Sequence, residues 1–220
     1  MSSSTVPPDP ATVEKLISRA VARAGRDLPG GAAGLLAIHL AMMLKWNRAM
    51  SLTAITDPDE AVRRHVLESL QAGRFVDPRA GALLDIGSGN GYPALPIKTL
   101  HPALAATLLE PAMRKSVFLE TVIRAAGLPG VQVRRERVER PADLQRYPGT
   151  GNITMRAVGV IDAVIKGAAG ILPSGGRLIL MIGSGKADAL SETLPSTFTI
   201  AARESFPDRR GSALLVLQHA

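Results

Sequence analysis

The chain contains no cysteine and few aromatic residues. Because none of its 220 residues is cysteine, disulfides, thiolate zinc sites and a cysteine nucleophile are all excluded. Phe, Trp and Tyr together make up only 3% of the residues, so the core must be built mainly from Leu, Ile, Val and Ala.

No apolar run approaches the roughly 18 residues of a membrane span. The first ten residues, MSSSTVPPDP, lack the basic and apolar regions of a secretory signal. We therefore expect a disordered tail over residues 1–9 and a soluble, cytoplasmic protein.

Positive charge is abundant. There are 26 Lys and Arg against 19 Asp and Glu, which gives a formal net charge of +7. Such a balance favours polyanionic partners, nucleic acid above all. The alternative is an ordinary protein from a GC-rich genome, whose codons favour Arg and Ala. Charge alone therefore specifies no partner.

The first third of the chain has a helical pattern. Asp9 and Pro10 suit the cap and first position of a helix that carries apolar residues on one face. A second helix is predicted roughly over residues 32–47. A third is predicted to start near Asp57, among acidic residues that suit a helix N-terminus, and to end near Phe75. We expect a helical subdomain over 10–78 and a second domain over 79–220.

After residue 80, short apolar runs alternate with helical stretches, of which 112–126 is the clearest. This alternation predicts βαβ units and a parallel sheet. The last two runs have no room for a helix between them, so they should pair antiparallel. The arrangement is that of a class I, Rossmann-like methyltransferase, an α/β fold with a mostly parallel seven-stranded sheet. The seven predicted strands are Ala82–Ile86, Ala105–Leu109, Val131–Val133, Ile153–Val158, Arg177–Ile182, Thr197–Ala202 and Ser212–Gln218.

A glycine-rich turn follows the first predicted strand. Glycines permit close backbone approach and positive φ, which a cofactor bound at a strand end requires. The nicotinamide fingerprint G-x-G-x-x-G would need glycine at position 92, where this chain has Tyr92. The spacing G-x-G-x-G, with Asp two residues before the first glycine, instead favours S-adenosylmethionine. A plain glycine-rich turn is the alternative. The predicted cofactor-binding residues here are Asp85, Gly87, Ser88, Gly89, Gly91 and Tyr92.

Acidic and backbone groups on the next strands complete the predicted cofactor site. Glu110 ends the second strand, 23 residues after Gly87, where a carboxylate can accept hydrogen bonds from both ribose hydroxyls. A helix-capping glutamate is the alternative. Asp85 is expected to orient the loop and to place negative charge near the cationic sulfonium. The segment Arg137-Val138-Glu139 follows the third strand, and we expect backbone contacts to adenine there.

Several motifs together resemble one family, the small-subunit ribosomal RNA methyltransferase G family, also called glucose-inhibited division protein B. The resemblance spans roughly residues 40–183 and implies methyl transfer to N7 of a guanine in 16S ribosomal RNA. The implied partner is ribosomal RNA or the small ribosomal subunit, and we expect a monomer without a metal. The segments that carry the resemblance are Trp46-Asn47, Ser51-Leu52-Thr53-Ala54-Ile55, Arg64-His65, Glu68-Ser69-Leu70, the run from Leu84 to Pro93 with Leu95-Pro96, Thr154-Met155-Arg156-Ala157-Val158, and Ser174-Gly175-Gly176-Arg177-Leu178.

Three positions depart from the family pattern. Tyr92 stands where the family usually has Phe, Gly151 where it usually has Asp, and Ile182 where it usually has Lys. The last two departures could weaken substrate binding or mark a divergent branch.

The residues also fit an acceptor that needs no general base. Guanine N7 has an exposed lone pair, so alignment and charge management matter more than deprotonation. The chain lacks the Asn-Pro-Pro-Tyr motif expected of exocyclic amine methylation, and it has no cysteine to attack a pyrimidine ring. These absences favour a ring nitrogen or a hydroxyl as the acceptor.

Arg156 is the predicted catalytic residue, with contacts to both cofactor and substrate. It ends the fourth strand beside the switch-point crevice, where its guanidinium could hold guanine O6 or a phosphate. The alternative is a structural ion pair. Arg64 and His65, on the third helix, are predicted to contact substrate, although His65 could equally be a core-edge histidine. The resemblance further implies RNA contacts for Arg114 and Lys115, which begin the helix after Glu110, because the family carries basic residues there.

For the other arginines the sequence indicates no particular binding partner. The cluster of Arg134, Arg135, Arg137 and Arg140 alternates with glutamates and is expected to be a solvated, partly self-paired face. Arg209 and Arg210 lie in the predicted turn of the last hairpin. Two further hypotheses remain open, a small-molecule methyltransferase and a non-catalytic RNA-binding relative, the latter motivated by Gly151 and Ile182.

Overall fold

A computed structural model describes residues 8–156, 159–207 and 210–220 of the chain. It begins with helices, as the sequence predicts. Helix α1 (Pro10–Arg23) and α2 (Ala32–Met50) are followed by α3 (Pro58–Ala61), a π-helical segment (Val62–Leu67) and α4 (Glu68–Gly73). The last three segments are contiguous and form one continuous helix. No helix in the described part of the chain is long and apolar enough to span a membrane.

The remainder forms one seven-stranded sheet with helices between the strands. The strand order is β3-β2-β1-β4-β5-β7-β6. Strands β1 to β5 run parallel, whereas β7 pairs antiparallel with both β5 and β6. This confirms the predicted parallel sheet with a C-terminal antiparallel hairpin. The elements are β1 (Ala82–Ile86), α5 (Ala94–Leu100), β2 (Ala106–Leu109), α6 (Met113–Ala125), β3 (Val131–Arg134), a 3-10 turn (Pro141–Arg146), β4 (Thr150–Arg156), α7 (Ile161–Ala168), β5 (Arg177–Gly183), α8 (Ser184–Glu192), β6 (Phe198–Ser205) and β7 (Ser212–His219).

Side-chain caps fix the starts of two N-terminal helices. The Asp9 carboxylate accepts a hydrogen bond from the Thr12 N–H at 3.0 Å, with Pro10 at the first helical position. Asp57 accepts from the Glu60 N–H at 2.7 Å in the same way. Both caps satisfy backbone donors that a helix leaves unpaired at its first turn. The predicted starts of the first and third helices are therefore confirmed.

Helices cover both faces of the sheet. Successive side chains along a strand point to opposite faces, so neighbouring residues pack against different helices. On β1, Leu83 packs with the N-terminal helices, α5 and α6, whereas Leu84 packs with α7 on the opposite face. Because α1 and α2 share the core of one sheet face, the 10–78 block packs directly on the sheet. Whether 10–78 and 79–220 fold as separate units stays a prediction, and most of the expected tail lies outside the described residues.

Strand β4 starts at Thr150, three residues earlier than predicted, because its first residues include a bulge. Thr150 pairs with Ala82 and Asn152 with Leu83, so Gly151 is the extra residue. A Cβ at Gly151 would lie 2.2 Å from the Ala80 carbonyl carbon, so no side chain fits there. The Asn152 amide donates to the Asp77 carbonyl at 2.8 Å and fastens the segment that enters β1. The predicted end of this strand, 157–158, lies outside the described residues.

Other boundaries shift by a few residues. Helix α2 continues to Met50, three residues beyond the predicted end, and Ser51 then adopts a left-handed φ of 50°. Strand β6 extends to Ser205 rather than 202, since it pairs along nearly the whole length of β7. The predicted third helix contains the π-helical segment, for which the sequence has no local signal.

Candidate active site

A cleft of about 600 Å³ opens at the carboxyl ends of the parallel strands. It lies beside β1, where the strand order reverses between β2 and β4, the position at which α/β sheets bind ligands. Lys115, on the first turn of α6, forms part of the wall. The structure thus brings together several residues predicted from sequence, namely Gly87, Glu110, Lys115, Arg137, Val138 and Glu139.

The glycine loop after β1 is held by backbone hydrogen bonds. The N–H groups of Gly87 and Ser88 both donate to the Leu109 carbonyl, at 2.9 and 3.0 Å. Gly87, Gly89 and Gly91 have φ values of 72°, 57° and 89°, all in the left-handed region that favours glycine. The loop is therefore a tight turn whose first residue lines the cleft.

Gly91 and Ser88 serve the packing beneath this loop. A Cβ at Gly91 would lie 2.8 Å from a Leu95 methyl and 3.1 Å from His39 Nε2. Ser88 is buried, and its hydroxyl donates to the Asp85 carbonyl at 3.2 Å. The cofactor contacts predicted for these two residues stay predictions.

Glu110 joins the loop to the next strand and lies on the cleft wall. One carboxylate oxygen accepts from the Gly89 N–H at 2.9 Å, and the other from the Ala112 N–H at 2.8 Å. The second bond fixes the turn before α6 and reaches only the N-cap residue, so the helix-capping alternative is not realised. A carboxylate has about four acceptor positions, so two remain for donors that enter the cleft.

Asp85 is buried at the end of β1. One carboxylate oxygen accepts from the Thr154 hydroxyl at 2.6 Å, and the other has no hydrogen-bond partner within the described residues. Burial raises the pKa of Asp85 to about 6; the hydrogen bond from Thr154 opposes the rise, and the charge of Glu110 adds to it. The site therefore holds a carboxylate whose ionised form is short of positive or hydrogen-bonding partners.

The substitution Asp85→Asn is expected to raise the free energy of unfolding at pH 7 by about 1 to 3 kcal/mol. Unfolded Asp85 ionises near pH 3.8 and the folded residue near pH 6. Between these values the unfolded chain releases its proton first, so the stability of the original protein falls as the pH rises and is then constant. The asparagine oxygen can still accept from Thr154. Denaturant unfolding at pH 4 and pH 7 measures the effect, and a variant that is less stable at pH 7 would contradict this account.

Tyr92 is sandwiched between two imidazole rings. His39 of α2 stacks on it at 4.2 Å between ring centroids, and His65 of the π-helical segment stacks on the other side at 4.8 Å. The Tyr92–Pro93 peptide is cis. Two N-terminal helices therefore contact the residue that ends the glycine loop.

His39 also binds the loop backbone directly. Its Nε2 lies 2.7 Å from the Asn90 carbonyl oxygen, so this nitrogen carries a proton and donates. Burial lowers the pKa of His39 to about 4, and the hydrogen bond to Asn90 only partly offsets this. His39 is therefore neutral at physiological pH.

Tyr92→Phe is expected to raise the free energy of unfolding by about 1 to 2 kcal/mol. The Tyr92 hydroxyl is buried without a hydrogen-bond partner in the described part of the chain, so its loss removes a desolvation cost and keeps the ring. The other tyrosine provides a matched control. Tyr147 donates to Glu136 at 2.7 Å, so Tyr147→Phe should instead destabilise the protein by about 1 kcal/mol. Thermal or denaturant unfolding of both variants measures this, and changes of equal sign would contradict it.

Arg156 ends β4 and forms a buried ion pair. Its Nη2 donates to Glu68 Oε2 at 2.7 Å and to the Arg64 carbonyl at 2.8 Å. The two paired side chains are only 12% and 4% exposed. The ion pair, which was the alternative from sequence, is thus present, and it holds the guanidinium at the carboxyl edge of the sheet. The catalytic role of Arg156 stays a prediction.

Residues of the N-terminal motifs converge beside this pair. The Asn47 amide oxygen accepts from the Thr53 N–H at 2.8 Å, and the Thr53 hydroxyl lies 3.1 Å from His65 Nε2. The side chain of Arg64 pairs with Glu60 at 2.7 Å, on a partly exposed face. His65 is buried, which agrees with the core-edge alternative. The motifs therefore form hydrogen bonds around the π-helical segment, whose Arg64 carbonyl accepts from Arg156 at the end of β4.

The remaining basic residues differ in their partners. Arg137 and Arg140 are exposed and form ion pairs with Glu139 and Asp143, and Arg134 lies 4.0 Å from Glu136. This confirms a partly self-paired face. Arg114 is exposed on the first turn of α6 and, unlike Lys115, does not line the cleft. Arg210 is exposed, and Arg209 lies outside the described residues.

Known proteins are similar to this chain in sequence and in fold. The model of the family described as rRNA small subunit methyltransferase G matches residues 33–208. Ribosomal RNA small subunit methyltransferase G of Xylella fastidiosa (strain M23) is 34% identical over 184 residues, which cover 83% of this chain and 84% of the relative. Its namesake from Stenotrophomonas maltophilia (strain K279a) is 34% identical over 176 residues, 80% of each chain. The chain belongs to the rRNA small subunit methyltransferase G family.

A solved structure supports the fold independently. The ribosomal protein L11 methylase of Lactobacillus delbrueckii subsp. bulgaricus superposes with a TM-score of 0.59 and 13% identity, over 71% of this chain and 78% of that one. The sheet is thus that of class I methyltransferases. As a member of the methyltransferase G family, the protein is a methyltransferase enzyme and requires a methyl donor.

The structure explains where the family departures lie. Gly151 is at the amino end of β4, on the opposite edge of the sheet from the cleft. Ile182 is buried in the core beneath α7 and α8. Tyr92 packs beneath the glycine loop. None of these three residues lines the cleft.

Three residues of the site were missed from sequence. His39 binds the loop, and Thr154 and Glu68, which were noted only within motifs, bind Asp85 and Arg156 respectively. A lone histidine among the apolar residues of α2 was the one local signal for His39. Thr154 and Glu68 gave no such signal, because their partners lie 69 and 88 residues away. No group of three or more His, Cys, Asp and Glu side chains that could hold a metal occurs in the described ranges.

Proposed function

We propose that this protein transfers a methyl group from S-adenosylmethionine to N7 of a guanine in 16S ribosomal RNA. The observation that carries the proposal is the cleft at the carboxyl ends of β1 and β2, with a left-handed glycine loop and the Glu110 carboxylate at its wall. Membership of the methyltransferase G family supports the acceptor. A ribosomal substrate also supports the expected cytoplasmic location.

The residues of the cleft fit this cofactor. Gly87 adds no side chain to the cleft wall, and Glu110 keeps two acceptor positions for ribose hydroxyls. Val138 is buried and lines the cleft between the exposed Arg137 and Glu139, so an adenine would meet its side chain and the neighbouring backbone. When bound, S-adenosylmethionine supplies an electrophilic methyl group on a cationic sulfur.

The ionised carboxylate of Asp85 supplies a negative charge that attracts the cationic sulfonium of S-adenosylmethionine. Its unpartnered oxygen is the buried orphan atom at the carboxyl end of β1. The variant Asp85→Asn is therefore expected to bind S-adenosylmethionine about tenfold more weakly and the neutral product S-adenosylhomocysteine equally well. Calorimetry with both compounds measures the difference. Equal losses for the two compounds would show that Asp85 acts only through the loop.

The acceptor chemistry needs positioning rather than proton removal. Guanine N7 attacks with its own lone pair, so the protein must align the ring and manage charge. The Arg156 guanidinium, held by Glu68 and the Arg64 carbonyl, is a pre-oriented donor for guanine O6 or a phosphate. We expect Lys115, on the cleft wall, and the neighbouring exposed Arg114 to bind RNA phosphate.

The test is methylation of small ribosomal subunits taken from a strain that lacks this modification. We expect the protein to install 7-methylguanosine in 16S RNA, with a rate that falls steeply as salt increases. If the subunits stay unmethylated while a small acceptor is turned over without salt dependence, the small-molecule alternative replaces the proposal. If S-adenosylhomocysteine does not bind at all, the non-catalytic alternative replaces it.

A further inference from the structure

A second groove lies on the helical face, away from the cleft. It has a volume of about 490 Å³ and is walled by α1 on one side and the π-helical segment on the other. Leu16, Ala20, Val62 and Leu67 provide its apolar lining. Leu16, Arg19, Ala20 and Arg23 share one face of α1, since they follow helical spacing. We call this feature the helical groove.

Three exposed arginines line the helical groove, Arg19 and Arg23 from α1 and Arg63 from the π-helical segment. None of the three forms an ion pair with a described carboxylate. Among the residues that the structure describes, Asp59 is the single acidic one that lines the groove. The arginines of the face near β3 differ, because they pair with neighbouring acids. Within the described part of the chain, the helical groove therefore carries three positive charges against one negative charge.

The spacing of these arginines also costs helix stability. Arg19 and Arg23 lie one turn apart on α1, and like charges at this spacing repel. An anion bound between them would relieve the repulsion, and guanidinium groups bind phosphate oxygens in fixed, paired geometry. The groove is therefore suited to an anionic ligand that also offers apolar surface.

The helical groove adjoins the support of Arg156. Arg63 lines the groove, and the carbonyl of the next residue, Arg64, accepts from Arg156. A smaller extension of the groove reaches Glu68, the ion-pair partner of Arg156. A chain bound in the groove would thus lie against the same helical segment that holds the predicted substrate residue.

We propose that the helical groove binds the phosphodiester backbone of the RNA strand that flanks the target nucleotide. This inference rests on the proposed function. Each nucleotide offers a phosphate for the arginines and a sugar and base for the apolar lining. An acidic peptide offers carboxylates but little flat apolar surface, so it fits the lining less well.

The test compares two double variants that remove the same charge. Arg19→Gln/Arg63→Gln takes one arginine from each wall of the groove. Arg79→Gln/Arg124→Gln removes two exposed arginines that do not line the groove. Arg79 precedes the amino end of β1, and Arg124 lies in the last turn of α6. Both pairs form no ion pairs in the described part of the chain, so each substitution should leave the fold intact. Calorimetry with S-adenosylhomocysteine checks this.

Binding of unmodified small ribosomal subunits is measured across a range of salt concentrations. The groove variant should bind about tenfold more weakly and reduce the slope of log K against log salt by about 1 to 2, whereas the control variant should change both only slightly. Equal effects of the two variants would overturn the proposal. So would a groove variant that binds subunits normally but loses binding of polyglutamate, which would indicate an acidic protein instead.

The outcome is separable from that of the proposed function. Original protein that binds subunits through the groove but installs no 7-methylguanosine would contradict the proposed activity and support the groove. Original protein that methylates 16S RNA, with a groove variant no weaker than the control, would contradict the groove alone.

Discussion

Gly87→Val is expected to abolish cofactor binding, with a loss of affinity of more than about 100-fold, equivalent to about 2.8 kcal/mol. Gly87 has a φ of 72° and lines the cleft at the end of β1. A branched side chain there would both strain the backbone and occupy space that the cofactor needs. Calorimetry with S-adenosylhomocysteine measures the loss, and circular dichroism establishes that the variant is folded.

A second glycine separates the two causes. Gly127 follows α6 with a φ of 59°, and a Cβ there would have no atom within 4 Å. Gly127→Val should therefore cost a similar backbone strain of about 1 to 3 kcal/mol and leave cofactor affinity unchanged. If Gly87→Val unfolds the protein, Gly87→Ala replaces it with less strain. Near-normal affinity in a folded Gly87 variant would show that the glycine loop is not the cofactor site.

Arg156→Ala is expected to lower the free energy of unfolding by about 3 to 5 kcal/mol and to reduce methyl transfer strongly. The substitution leaves Glu68, which is 4% exposed, without the guanidinium that now pairs with it at 2.7 Å. A buried carboxylate that loses its cation is costly. Denaturant unfolding measures the stability, and transfer of labelled methyl to small subunits measures the activity.

The double variant Glu68→Gln/Arg156→Gln separates structure from chemistry. A neutral amide pair removes the stranded charge and can keep one hydrogen bond, so most of the lost stability should return. We expect methyl transfer to stay reduced by about 100-fold, because the pre-oriented guanidinium is still missing. Recovery of activity together with stability would show that Arg156 is a structural residue only.

The sheet was predictable because its signals are local. Runs such as Ala82–Ile86 are short, apolar and separated by helical stretches, because the central parallel strands are buried on both faces of the sheet. The glycine loop was predictable for a related reason, since left-handed φ at three alternate positions restricts all three to glycine. Glu110 followed from its position at the end of the next strand.

Long-range contacts were not predictable in this way. His39 binds the Asn90 carbonyl across 51 residues, and nothing in the helical pattern of α2 points to that partner. The π-helical segment is similar, because two of its contacts, the stacking of His65 on Tyr92 and the hydrogen bond from Arg156 to the Arg64 carbonyl, join residues far apart in sequence. From sequence, glycine at position 151 could weaken substrate binding or mark a divergent branch; its place in a bulge at the opposite end of the strand from the cleft gives it a packing role.

Mass spectrometry of 16S ribosomal RNA from matched cells with and without this protein tests the central claim most directly. The account predicts one 7-methylguanosine that is present with the protein, absent without it, and absent when only the Gly87→Val variant is supplied. An identical set of 16S modifications in all three samples would contradict the proposed activity.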